Sequence, residues 1–134
     1  MRIALKRVYE TPTDEDGLRI LVDRLWPRGM TRDQADIDLW LKDAAPSTAL
    51  REWFGHEPGR WDAFKTRYFA ELDARGDSLT PLFNAIHAGK VTLVYASRDT
   101  AHNQAVALRD YLLSKELNQE DGYTPSNPNS LDNS

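Results

Sequence analysis

Apolar and polar positions along the chain fall into short blocks with different periods. Ile3, Leu5 and Val8 alternate with polar residues, so Arg2 to Tyr9 is predicted as a strand. Leu18 to Val22 is apolar almost without a break, and so is Val91 to Ala96. Runs of that kind belong to strands buried on both faces, in a sheet flanked by helices. Asp36 to Leu41 alternates more weakly and predicts a short strand between them.

Helical periods fill the middle and the end. Thr31 and Gln34 have the spacing of a capping box, which predicts a short helical turn. Ser47 as N-cap and Gly55 as stop bound another short helix. Trp61, Phe64, Tyr68 and Leu72 recur at intervals of three and four, giving the clearest apolar stripe. Pro58 suits its first turn, and Gly76 ends it. Ser78 is the expected cap of a helix through Leu82, Phe83 and Ile86, stopped by Gly89. Asp99 or Thr100 is the expected cap of the last helix, with Ala101, Ala105, Leu108 and Leu112 on one face.

This order predicts a small Rossmann-like three-layer α/β domain. Its sheet is mostly parallel, has three to four strands, and is flanked by helices. A single domain over residues 1–117 is expected, followed by a polar tail over 118–134. "NQEDGYTPSNPNSLDNS" is too polar to bury a core and is expected to be flexible.

Composition narrows the function. The 134 residues include no cysteine, which excludes disulfides, thiolate nucleophiles and cysteine-bound metal centres. "MRIALKRVYE" has no long apolar core, so no secretory signal is expected. No stretch approaches the roughly 20 apolar residues of a membrane helix. A cytoplasmic protein with no membrane partner is the expectation. The net charge is −4, and the tail carries most of it, leaving 17 basic against 18 acidic residues in the body. A near-neutral body makes nucleic acid an unlikely partner, although a local basic patch remains compatible with it.

One such patch stands out. "DRLWPRG" follows a buried strand, and between Arg19 and Arg32 there are four arginines and one acid, Asp23. Arginine forks grip carboxylate or phosphate oxygens in pairs. Trp26 offers an aromatic wall, or else core packing; Pro27 stiffens the turn. The second patch is "ASRDTAHN", between the last strand and the last helix. Unpaired N–H groups and the helix dipole favour an anion there. If the two strands run parallel, both loops open on one sheet edge, and open α/β sheets bind ligands at that edge.

The candidate set follows. Arg24, Arg28 and Arg98 would hold an anion, with Trp26, Tyr95 and Asn103 as further binding residues. His102 or His56 would move protons, and Asp23 would orient an arginine. Each has a plain structural alternative: Arg24 paired with Asp23, Tyr95 in the core, the histidines in ordinary loop hydrogen bonds. Lys6 and Arg7 either extend the basic rim or form a surface pair. His87 falls at a helix end, where a positive charge is favourable. No metal-ligand spacing, P-loop, dinucleotide fingerprint or nucleophile elbow occurs, so no cofactor is assigned.

"KRVYE", "DGLRILVDRLWPRG", "IDLWLKDAAPS", "WFGH" and "LVYASRDTAHNQAVAL" together resemble the YeaO-like family of domain of unknown function 488, over about Arg2 to Leu113. The resemblance implies a small Rossmann-like α/β domain of bacteria and archaea, and no particular reaction. Longer members of the wider group carry an Asp-Val-Arg segment followed by proline, similar to Asp23-Arg24 and Pro27. They also carry a cysteine and a Cys-His-Arg after the last strand. Here Tyr95 or Ala96 and His102-Asn103 stand near those positions, so a thiol mechanism is not implied. Three functions remain: a pocket for a small anion, with or without catalysis; a single-stranded nucleic-acid module; and a protein-interaction or regulatory domain.

Overall fold

The computed structural model describes residues 2–121, with side-chain surroundings through residue 115. Four strands, β1 (Ile3–Arg7), β2 (Leu18–Leu21), β3 (Leu39–Trp40) and β4 (Val91–Tyr95), form one sheet in the order β1-β4-β2-β3. Every pairing is parallel, with Leu93 opposite both Leu5 and Ile20. β4 is central, and all five of its residues are buried, as its unbroken apolar run requires. β3 is the weakest element, shrunk to two residues at the sheet edge.

The sheet divides the core unequally. Val91, Leu93 and Tyr95 join Ile20 and Val22 on one face. They pack against α2 (Thr48–Phe54), α3 (Trp61–Arg75), α4 (Thr80–Ala88) and α5 (Gln104–Asp121). Phe64, Tyr68 and Leu72 of the α3 stripe are buried there, each large side chain contributing about 1.5–3 kcal/mol of transfer free energy. The opposite face is thinner. Val8, Leu21, Val94 and Ala35 form its core, with Trp26, Met30, Ile37 and Trp40 around them. Among the described residues, the helix in that cluster is α1 (Arg32–Ala35), which starts in the expected Thr31–Gln34 capping box.

That thinner face is held by charge. The Arg19 guanidinium, 2% exposed, donates to the Asp16 carboxylate at 2.7 Å and to the carbonyls of Ala35 and Asp36. Lys6 meets Asp16 at 3.0 Å. Burial opposes ionisation of Asp16, but the Thr13 N–H, Lys6 and Arg19 outweigh it and bring its pKa down to about 2. Gly17 completes the turn: its φ is +65°, and a Cβ there would lie 2.4 Å from the Lys90 carbonyl oxygen.

α2 is fixed where the sequence places it. Ser47 caps it, accepting the Leu50 N–H at 3.1 Å, and Gly55 closes it in the left-handed region. Glu71 of α3 accepts the Ser47 N–H at 2.8 Å, and Arg75 donates to the carbonyls of Asp43 and Ala45. One turn of α3 thus sets the segment leading into α2.

Several boundaries differ from expectation. Pro58 lies in a 3-10 turn, Pro58–Arg60, ahead of α3. Ser78 does not cap α4; Gly76–Leu79 forms another 3-10 turn that runs into it. α5 begins at Gln104, capped by Asn103, whose Oδ1 accepts the Val106 N–H at 3.0 Å. Asp99 instead accepts the N–H groups of Ala101 and His102, turning the chain before the helix, and Ala101 is exposed. α5 extends to Asp121. The rest of the expected flexible tail, 122–134, lies outside the described residues.

Candidate functional site

All four strands point the same way, so their carboxyl ends share one sheet edge. The loop after β2 and the loop after β4 leave adjacent strands and meet there. Between them and α2 lies a cavity of about 380 Å³. Seven of the nine candidate residues line it: Asp23, Arg24, Trp26, Arg28, His56, His102 and Asn103.

Asp23 is the joint between the loops. Its Oδ2 accepts the Ala96 N–H at 3.0 Å, and its Oδ1 accepts the Gln104 side-chain amide. It therefore orients a backbone turn and α5 rather than an arginine. Burial raises its pKa to about 6, against the opposing pull of Ala96, Gln104 and the nearby Arg51.

Arg24 is left short of partners. Nη2 reaches the Pro46 carbonyl at 3.3 Å, while the buried Nε has no acceptor. Among the described residues, Arg24, Arg28 and Arg51 form no ion pair, and all three line the cavity. Arg28 is exposed on the lip, where its carbonyl accepts the Tyr9 hydroxyl at 3.0 Å. Trp26 spends its indole N–H on the Met30 carbonyl at 2.7 Å and sets its ring edge-on to Trp40, 5.4 Å away. Trp40 in turn donates to the Asp23 carbonyl at 2.8 Å.

The two histidines sit differently. His102 Nδ1 lies 3.1 Å from Asp99 Oδ2, and its ring stands edge-on to Trp61 at 5.3 Å. The Asp99 carboxylate is kept below its ordinary pKa by the N–H groups of Ala101 and His102. His56 is exposed and carries φ +59°, directly after Gly55 at +55°. A left-handed pair reverses the chain and leaves the imidazole on the rim.

Two candidates are elsewhere. Tyr95 is 3% exposed and belongs to the main core, because strand alternation turns it toward the helices; burial raises its pKa. Arg98 is exposed and outside the cavity lining, next to the turn that Asp99 makes with Ala101 and His102. Lys6 is taken by Asp16, and Arg7 holds the carbonyls of Ser97 and Ala96 at 2.9 and 3.2 Å. Neither extends a free basic rim.

Sequence reasoning missed Arg51 and Gln104. Both had a signal. Arg51 stands three residues before Phe54 on a capped helix, hence on the same face, and Gln104 directly follows His102-Asn103 in the chain.

The model of the family described as the inactive DUF488-N3 subclade matches residues 2–131. The chain belongs to this YeaO-like DUF488 family. It is similar to the uncharacterised protein Rv3073c of Mycobacterium tuberculosis H37Rv, 41% identical over 111 residues, which are 83% of this chain and 93% of that protein. It is similar also to the uncharacterised protein YeaO of Escherichia coli K12, 40% identical over 114 residues, which are 85% of this chain and 99% of that protein. No solved structure matches. The absence of cysteine leaves the cavity of this chain without a thiol.

Proposed function

We propose that the cavity at the carboxyl edge of the sheet binds a small anionic ligand, phosphate- or nucleotide-like, and that the protein works by binding it. The Arg24 guanidinium carries this reading: a buried Nε without an acceptor, on the wall of a cavity that Arg28 and Arg51 also line. An unsatisfied buried donor costs about 1–3 kcal/mol, and an oxyanion placed against it would recover that cost. The one carboxylate in the lining, Asp23, already accepts two hydrogen bonds from the protein and does not neutralise the arginines by contact.

Binding is favoured over turnover. His102 has an oriented imidazole, but no activated nucleophile stands beside it among the described residues. The description of the family as inactive agrees with that. A second reading, a docking lip for another protein, draws support from Leu25 and Tyr9, 66% and 46% exposed beside the cavity.

Calorimetric titration with inorganic phosphate and a nucleoside monophosphate tests the first reading. Saturable binding that Arg24→Gln weakens at least tenfold supports it. No heat and no thermal shift with either anion, in a folded protein, would discard it.

A further inference from the structure

Asp23 is the one carboxylate in a cavity lining that also carries Arg24, Arg28 and Arg51. Its two partners, the Ala96 N–H and the Gln104 side-chain amide, are both neutral, so no cation holds it ionised by contact. Burial is the largest influence on it and raises its pKa to about 6, while Arg51 pulls the other way through space. The remaining ionisable groups of the lining are Tyr9 after β1, His56 on the rim, and His102, which is paired with Asp99 beyond β4. On α3, burial pushes the Tyr68 phenol up and keeps it neutral, and Glu71 is paired with Arg75.

The joint that Asp23 makes tolerates a proton. An ionised Asp23 accepts from both partners. A protonated one keeps an accepting oxygen for the Ala96 N–H and donates from the other to Gln104, whose amide turns over to present its own oxygen. Both loops stay tied in either state. A proton on Asp23 therefore changes the charge of the cavity and leaves its frame in place.

Resting on the anion reading above, we infer that the cavity takes up a proton from solvent together with its anion, and that Asp23 is the group that receives it. An ionised carboxylate in the same cavity repels an incoming oxyanion and offsets part of the attraction of the arginines. Neutralising it removes that opposition. The effect is reciprocal: a bound anion holds the proton on Asp23 more tightly than the empty cavity does. Binding is therefore strongest in mildly acidic solution and weakens as pH rises and Asp23 ionises.

The experiment is a calorimetric titration of the full chain with sulfate from pH 5 to pH 8 at fixed ionic strength. Sulfate is the probe because its own charge does not change over that range. Affinity should fall by about tenfold or more across it, a factor that one unit charge close to a divalent anion supplies. Asp23→Asn should bind sulfate with nearly constant affinity, matching the parent at pH 5. His102→Gln and His56→Gln should keep the slope. Should Asp23→Asn fail to fold, binding heats of the two histidine variants at pH 6 in two buffers of different ionisation enthalpy still decide, because proton uptake makes those heats differ. A flat pH profile, a slope that survives in Asp23→Asn, or equal heats in the two buffers would overturn the inference and leave the anion reading standing. So would binding of phosphate with refusal of sulfate, since Asp23 would then be accepting a proton from the ligand. Binding of neither anion at any of these pH values would discard the anion reading and this inference with it.

Discussion

The Asp23 carboxylate, just beyond the end of β2, accepts the backbone N–H of Ala96, just beyond the end of β4, at 3.0 Å. This single bond ties together the two loops that form the cavity. Its other oxygen holds Gln104 in the first turn of α5, so one side chain registers two loops and a helix. Asp23→Ala leaves two donors unmatched in a part-buried site. We expect a loss of about 1–3 kcal/mol, read as a lowered urea midpoint with unchanged slope. An unchanged midpoint would mean that the joint is not under load.

Asp23 also gives stability a distinctive pH dependence. Its pKa is raised to about 6 from an ordinary value of 3.8, with burial the largest cause. A raised carboxyl pKa means that the folded state binds the proton more tightly than the unfolded chain does. Between about pH 4 and pH 6 the unfolded state therefore carries fewer protons, and stability falls as pH rises through that window, by at most about 3 kcal/mol. Asp23→Asn should flatten this slope and be more stable than the parent at pH 8, with little difference at pH 4. Asp16 acts in the opposite sense and lower down, its stabilisation being lost as pH falls from 3.8 toward 2. The two contributions can be separated by thermal melts at closely spaced pH values.

How far the sequence discloses this architecture depends on the kind of signal. β2 and β4 were readable because unbroken apolar runs leave few alternatives, and their parallel pairing brings the "DRLWPRG" and "ASRDTAHN" loops together. Local caps were readable at Thr31 and Ser47 because the bond is made within four residues. Asp99 was misread because it makes the same kind of bond, to Ala101 and His102, one turn too early. Arg98 is exposed and outside the cavity lining, and proximity to the strand end says nothing of which way a turn faces. Arg51 enters the cavity through the packing of α2 on α3, set by Glu71 and Arg75, contacts that no local pattern displays.

The corrected map makes a paired prediction about the arginines. Arg24→Gln and Arg51→Gln should each weaken phosphate or nucleotide binding, by about tenfold or more for the half-buried Arg24 and less for the exposed Arg51. Arg98→Gln should leave affinity unchanged within twofold, since that side chain lies outside the cavity lining. Titrations of the three variants check this directly. A larger effect at Arg98 than at Arg24 would contradict the placement of the charged subsite.

His56 provides a test of backbone strain that is independent of any ligand. Its φ of +59° costs a non-glycine residue about 1–2 kcal/mol, and the residue is exposed, so its side chain recovers little by burial. His56→Gly removes that cost but adds chain entropy to the unfolded state. The expected net change is neutral to about 1 kcal/mol stabilising, whereas His56→Val should destabilise, because a β-branched side chain fits that conformation worst. Chemical denaturation of the two variants gives the sign. If His56→Gly and His56→Val destabilise by the same amount, the loss common to both is that of the imidazole, and its place on the cavity rim would then be maintained by side-chain bonding rather than by the turn after α2.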